Sequence, residues 1–573
     1  VRAMKPVKDL VEVALGKKPA DLVLKNAQVF NSFTGEFVTG DVAVVSGYIA
    51  GIGEYEGKTT HDLQGAYVTP GFIDGHVHIE SSMVSPAEFA RALVPAGTLT
   101  AVVDPHEIAN VTGIAGIRYM LEASSNLPIN IYVMLPSCVP ATSLETAGAV
   151  LTARELSEFI NHPRVLGLGE LMDYPSVLNT REEMLQKLAV AEGKLVDGHA
   201  PGISGKELTA YIAAGVNSEH ECTTAEEARE RLSRGMYLML REGSATKNLL
   251  DLLPAVDRYT ASRCLFVTDD RHPEDLIKLG SINHMVKLAV SAGADLPTVL
   301  QLATINAANY FRLYDLGAIA PGYRADILVF EDLQEFKPRY VFKDGKLVAE
   351  KGKPLFTGYP VDDRAVRNTM RLKEINPEKL KIPANSNRAR VIGLIPHQIV
   401  TKKLVLEVPV EGGYFKTSPE RDIAKLAVFE RHNYTGNVGV GLIHGLGLKK
   451  GAIASTIAHD SHNLVVAGIS DEDIIVAVEE LKRIGGGLTV VAEGQVLGSL
   501  PLPIAGLMSD RTLYEVQEEL EKLHRLVRSL GVSEDYDPFM TLAFLSLPVI
   551  PELKLTDRGL VDVSTFSVVP VSL

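Results

Sequence analysis

The stretch Thr69-Pro70-Gly71-Phe72-Ile73-Asp74-Gly75-His76-Val77-His78-Ile79-Glu80-Ser81-Ser82 decides the fold. An apolar, strand-like approach, Phe72 and Ile73, breaks at Gly75 and then presents His76 and His78. In an extended chain, residues i and i+2 point to the same side. Both imidazoles can therefore reach one metal ion, and histidine is the commonest metal-binding side chain.

Outward from this stretch, short apolar strands alternate with helical segments from Thr69 to Leu316. The strands are expected at Gly71–Asp74, Leu99–Val103, Ile129–Leu135, Val165–Leu168, Lys194–Val196, Gly215–Ser218, Tyr237–Leu240 and Cys264–Val267. Several of the following helices open with the capping-box spacing: Ser85 and Glu88, Thr152 and Glu155, Thr180 and Glu183, Ser204 and Glu207, Thr224 and Glu227. Strand-then-helix units repeated in this way predict a (β/α)8 barrel, in which chemistry sits at the carboxyl ends of the strands.

Before the barrel, residues 20–63 read as short β-strands punctuated by Gly, Asn and Ser. A similar pattern resumes at Gly317 and runs through Ile327–Phe330, Tyr340–Phe342 and Lys346–Val348. The expected organisation is α/β. A TIM-like metal-dependent hydrolase barrel (69–316) is inserted in a small β-sandwich domain (1–68 with 317–361). A carboxyl-terminal α+β domain (362–573) follows. Its first stretch, 362–387, reads as a linker. Its Gly-rich passages, Val438–Gly451 and Ile484–Gly487, lack the spacing of a phosphate-binding loop.

Composition narrows the function. The chain has 573 residues, 46% hydrophobic and 22% charged, with a net charge of −14. That balance disfavours a general nucleic-acid binder. No run reaches the roughly 18 consecutive apolar residues of a membrane span. Val1-Arg2-Ala3-Met4-Lys5 has no apolar signal core. Cys138, Cys222 and Cys264 share no CxxC spacing, which fits a reducing compartment. The expectation is a cytoplasmic protein with neither nucleic-acid nor membrane partner.

Ionisable residues follow seven of the strands. They are His76 and His78, Asp104-Pro105-His106-Glu107, Glu170, Asp197-Gly198-His199, Glu219-His220-Glu221, Arg241-Glu242, and Asp269-Asp270. A carboxylate after a strand is commonly a helix cap, and a lone loop histidine is commonly solvated. Seven such strand ends together exceed those readings. A catalytic binuclear site needs about six protein ligands. The barrel offers His76, His78, Glu170, His199, His220 and Asp269. His76 and His78 would hold one ion with Asp269, His199 and His220 the second, and Glu170 would bridge them. Two such ions share a hydroxide that is nucleophilic at neutral pH, and Asp269 can take its proton.

Several passages resemble known proteins. Pro70–His78 and Pro321-Gly322-Tyr323-Arg324-Ala325-Asp326-Ile327 resemble the amidohydrolase superfamily. Within it, His78–Met83, Asp104–Val111, Pro136–Thr142, Gly198–Gly202, Thr268–Pro273, Ile457–Asn463 and Leu500–Ser509 resemble the adenine deaminase family. The resemblance spans nearly the whole chain. It implies hydrolytic deamination of adenine to hypoxanthine and ammonia, in purine salvage or catabolism. It also implies two divalent ions, manganese or iron, with zinc a third option. It places Glu170 where many relatives carry a carboxylated lysine. Single-zinc nucleoside deaminases carry a catalytic Glu three residues after the strand-five histidine; that position here is Gly202.

The catalytic candidates are therefore Asp269 as base and Glu80, Glu221 or Asp270 as proton donor. The substrate-binding candidates are His106, Arg241, Glu242, His459 and His462. His459-Asp460-Ser461-His462-Asn463 lies between apolar runs and is expected to cover the barrel mouth. The expected partners are adenine and water, in a homo-oligomer, by default a dimer. The alternatives are a binuclear amidohydrolase acting on a cyclic amide or another aminopurine, and a non-catalytic scaffold on the same fold.

Overall fold

The computed structural model describes residues 5–573. Residues 1–4, assigned from sequence to the small β-domain, lie outside the described residues. Strands from residues 20–70 and 327–354 hydrogen-bond into one nine-stranded sheet. Its central seam joins Tyr67–Pro70 antiparallel to Ile327–Phe330, with Ile327 opposite Pro70 and Phe330 opposite Tyr67. The chain thus enters and leaves the barrel from neighbouring strands. Leu24, Val29, Val42, Val44, Val68, Ile327 and Val329 share the apolar core beneath the sheet.

The barrel strands are β1 (Phe72–His78), β2 (Thr98–Val103), β3 (Asn130–Leu135), β4 (Val165–Leu171), β5 (Leu195–Gly198), β6 (Ser218–Glu219), β7 (Tyr237–Arg241) and β8 (Cys264–Val267). Strands β5 to β1 form a parallel ladder, and β6 to β8 form a second. Contacts of β5 with β6 and of β8 with β1 close the ring. Residues Asp269–Asp270 pair parallel to β1, opposite Val77 and His78.

Strand β1 does not break at Gly75; it continues to His78, so both histidines stand in the strand itself. Gly75 is needed for close approach. A Cβ there would meet Leu265 Cδ1 at 2.4 Å and Val267 Cγ1 at 3.2 Å, so a side chain would push β8 off β1. Capping followed the sequence in part. Thr152 and Glu155 make a full capping box, and the Ser85 and Thr224 hydroxyls accept from Glu88 N and Glu227 N. Thr180 and Ser204 make no such bond. Thr180 instead takes a left-handed φ of 49°, and the helix begins at Glu182.

The carboxyl-terminal region is built on an eight-stranded, mostly antiparallel sheet. Helix Asp471–Ile484 is capped by Ser470 and ends at Gly485 with φ 82°. Its Ile474, Ala477, Val478 and Leu481 pack on Ala452, Leu464, Val466 and Val491. Acidic residues fill its first turn and Lys482 and Arg483 its last, as the helix dipole favours. Residues 362–387 hold two short 3₁₀ turns.

This region sits on the barrel's mouth. Ser509 N donates to Met83 O at 2.7 Å. Thr146, on the long loop after β3, donates to Asp557, and Asn463 Nδ2 donates to Thr146 O at 2.8 Å. Among the described residues, no helix is long and apolar enough to cross a membrane.

Candidate metal centre and active site

The six ligand candidates come from four strand ends and the Asp269–Asp270 segment, and they converge on Glu170. Glu170 Oε1 lies 2.9 Å from His76 Nε2 and 2.8 Å from His78 Nε2. Glu170 Oε2 lies 2.9 Å from His199 Nδ1 and 3.7 Å from His220 Nε2. Asp269 Oδ1 completes the first set, 3.5 Å from His76 and 3.2 Å from His78. The potential ligand atoms fall into two groups that share Glu170 and could each hold an ion. One carboxylate with an oxygen facing each histidine pair is the arrangement a bridging ligand requires.

The donor set fits a divalent metal centre. His76 Nε2, Glu170 Oε1 and both ring nitrogens of His220 are buried without a hydrogen-bond partner among the described residues. Native interiors rarely leave buried polar atoms unpaired unless an ion or water satisfies them. His78 Nδ1 lies 2.8 Å from the Asp104 carbonyl. A carbonyl only accepts, so Nδ1 carries the hydrogen and Nε2 presents a lone pair to the cluster. Electrostatics agree. Burial pushes the His76 and His199 imidazoles down, yet the adjacent carboxylates raise them to about 10 and about 9. Glu170 and Asp269 are held well below the usual carboxylate range despite burial, Glu170 chiefly by His76 and His78 and Asp269 by the same pair with Arg241. The cluster favours positive charge at its centre.

Arg241 is turned toward the ligand cluster. Its Nη1 donates to Asp269 Oδ2 at 3.0 Å and to the Glu221 carboxylate. Glu221 is half-buried, and Arg241 and His199 hold it ionised far below its ordinary range, which suits it poorly to proton donation. The structure does not bring Glu242 to the cluster; its Oε2 accepts from Leu249 N at 3.3 Å and pins the loop after β7.

A cavity of about 250 Å³ lies between the barrel mouth and the carboxyl-terminal region. Glu80, Ser81, Glu107, Asp270, His459 and His462 are among the residues that line it. Ser81 Oγ donates to Asp270. Glu80 accepts from Ile108 N through Oε1 at 3.1 Å, while its Oε2 is buried and has no hydrogen-bond partner among the described residues. Burial first, then the neighbouring Glu107, raises Glu80 to about 7.

His106 packs edge-on against His78, ring centroids 4.7 Å apart, with Nε2 3.3 Å from Glu107 Oε1. Glu107 is the residue whose centrality the sequence understated. His459 Nδ1 lies 3.2 Å from its Oε1, and His462 Nε2 contacts its Oε2. His459, His462 and His106 hold Glu107 ionised despite its burial. Phe544, stacked on His459 at 4.7 Å, was missed entirely. The one available signal was two dense polar runs, 104–107 and 459–463, each bounded by apolar sequence.

Residues 67–348 match the amidohydrolase family, and residues 398–567 match the adenine deaminase C-terminal domain. Over 570 residues, the whole of both chains, the sequence is 95% identical to adenine deaminase 2 of Carboxydothermus hydrogenoformans. It is 50% identical over 562 residues, 98% of each chain, to an adenine deaminase of Dehalococcoides mccartyi. It is 49% identical over 569 residues, 99% of each chain, to an adenine deaminase of Nitratidesulfovibrio vulgaris.

Proposed function

The chain belongs to the adenine deaminases of the amidohydrolase family, and from that premise we propose that it hydrolyses adenine to hypoxanthine and ammonia with the residues gathered at the barrel mouth. The observation that carries this reading is identity over the full length, which includes the carboxyl-terminal region.

His76, His78 and Asp269 would hold one divalent ion, His199 and His220 a second, and Glu170 would bridge them. Manganese or iron suits this mixed imidazole and carboxylate set, and zinc is accommodated by the same atoms. Ions held there would act as Lewis acids and lower the pKa of a water molecule, supplying a nucleophile at neutral pH.

The chain's own residues then divide the work. Asp269, oriented by Arg241 at 3.0 Å, takes the proton released as the water oxygen adds to C6. A ring nitrogen is protonated in the same phase. Glu80, buried with a free Oε2 at the cavity wall, is the donor the geometry favours, and Asp270 is the second choice. Glu107 faces the cavity as a carboxylate and accepts an N–H of the purine. The C6–N bond breaks as the amine takes up a proton and leaves as ammonia. His459 and Phe544 close the site from the carboxyl-terminal side and restrict water. A site built to bond a polar ring edge rejects analogues that leave its groups unpaired.

Cytoplasmic residence, a role in purine salvage and a homodimer belong to the same proposal. Three buried free cysteines support a reducing compartment. The decisive experiment adds manganese to metal-free protein and measures ammonia release from adenine, adenosine, cytosine and guanine. Adenine alone should react. No ammonia from adenine would overturn the reading.

A further inference from the structure

Arg431 is fully buried, and its guanidinium is spent on neutral acceptors. Nε donates to the His462 carbonyl at 2.6 Å, Nη2 to the Ala505 carbonyl at 2.9 Å, and Nη1 to the Thr369 hydroxyl at 3.1 Å. Its backbone N donates to Asn463 Oδ1 at 3.3 Å. Gly506, at φ 72°, makes room for it, since a Cβ there would meet Arg431 Nη2 at 2.8 Å. A buried charge satisfied in this way is costly, and what it grips is the backbone around His462.

His462 needs that grip. Its φ is 53°, left-handed for a residue with a Cβ, a conformation that persists only when the surroundings over-determine it. Its N donates to Ala458 O at 2.7 Å, and Ala458 N donates back to His462 Nδ1 at 3.1 Å. Nδ1 is therefore an acceptor, and in the neutral ring Nε2 carries the hydrogen. Burial, with His459 and Arg431 nearby, lowers His462 to about 4 and keeps it neutral. The Nε2–H points at Glu107.

We propose that His462 and Arg431 are positioning residues: Arg431 fixes the strained backbone, and the His462 Nε2–H donates to Glu107 and aims its carboxylate at the substrate. The proposal rests on the reading of Glu107 as a purine-facing group. It makes the carboxyl-terminal region part of the reaction centre, acting through one residue of the barrel. Glu107, His459 and His462 are also close enough to share an ion. A ring nitrogen that carries a hydrogen cannot ligate, which favours positioning over a third metal site.

The test is a double-mutant cycle in the full-length, metal-loaded enzyme. Glu107→Gln should lower kcat about 100-fold. His462→Leu should lower kcat about 30-fold, the loss of one hydrogen bond to a charged group, with KM within about 3-fold. His462→Gln, whose amide still donates, should recover most of that loss. In the Glu107→Gln background, His462→Leu should cost less than about 2-fold, because residues acting as a unit are non-additive. Arg431→Lys should follow the same pattern, with thermal unfolding as the check on folding.

Equal losses from His462→Leu in both backgrounds would overturn the proposal, as would a His462→Gln enzyme no better than His462→Leu. So would a third manganese equivalent per chain that disappears in His462→Leu. A fully active Glu107→Gln enzyme would remove the target of the positioning while leaving adenine deamination intact. Nitrogen NMR of labelled histidine reads the His462 tautomer independently of turnover. The Nε2–H form supports the proposal whether or not adenine is the substrate, and the Nδ1–H form overturns it.

Discussion

Replacing Asp269 with asparagine separates the two duties assigned to this residue. Asp269 Oδ1 faces His76 and His78 at 3.5 and 3.2 Å, and Oδ2 accepts from Arg241 at 3.0 Å. Asparagine keeps the shape but has only one acceptor oxygen. If that oxygen faces the histidines, the amide NH2 meets the Arg241 guanidinium, donor against donor. If it flips, the NH2 faces the ligand cluster. Either orientation loses a hydrogen bond to a charged group, about 1.5–3 kcal/mol of stability. Neither can accept the proton released when water attacks. Loss of a positioned general base costs about 10²–10⁴ in rate, which is about 3–5 kcal/mol of barrier. Ammonia release from adenine gives kcat, and elemental analysis of the same sample gives metal per chain. The expected result is a kcat lower by at least 100-fold with most of the metal retained. A kcat within about 3-fold of the parent would refute the base assignment. So would a loss of activity that tracks metal content alone, for Asp269 would then only hold an ion.

Glu170→Gln should strip metal from both halves of the centre, because its two oxygens face different histidine pairs; elemental analysis should find fewer than one ion per chain. Phe544→Ala should raise KM for adenine several-fold while leaving metal content unchanged, since the ring covers His459 and not the ligand cluster. Lys554 supplies a pH test. Burial lowers its ammonium to about 7, while the unfolded side chain titrates near 10.4. Between those values the unfolded chain holds the extra proton, so stability rises with pH across that window, by up to about 5 kcal/mol. Lys554→Met should flatten the rise in thermal midpoint from pH 7 to 10, although it also strands the Ile399 and Phe544 carbonyls that Nζ now bonds. An unchanged slope would exclude Lys554 as its source.

Much of the architecture was legible because it rests on local rules. The Thr152 and Glu155 spacing made the capping box it predicted. Strand β8 occupies the expected Cys264–Val267. Local rules failed where a neighbour distant in the chain decided the outcome. Gly75 reads as a break, but the space around it is set by Leu265 on β8. Thr180 and Glu183 have the spacing of a cap, yet the backbone at Thr180 turns left-handed. Glu242 directly follows Arg241, the last residue of β7, but successive side chains of an extended segment point opposite ways, and Glu242 turns to Leu249 N.

The sequence by itself determined the kind of chemistry. Histidines and carboxylates at the ends of successive β-strands must converge once the strands close into a barrel, because parallel strands with helical crossovers put all their carboxyl ends on one face. Pattern alone therefore named Glu170 and its five companions. Only the tertiary structure decided what surrounds them. It split the two oxygens of Glu170 between two histidine pairs, paired Arg241 with Asp269, and laid His462 on Glu107, 355 positions away in the chain. No periodicity carries such a contact. It arises from the docking of one folded surface on another, and its strength comes from burial, which removes the water that would otherwise compete for the same hydrogen bonds.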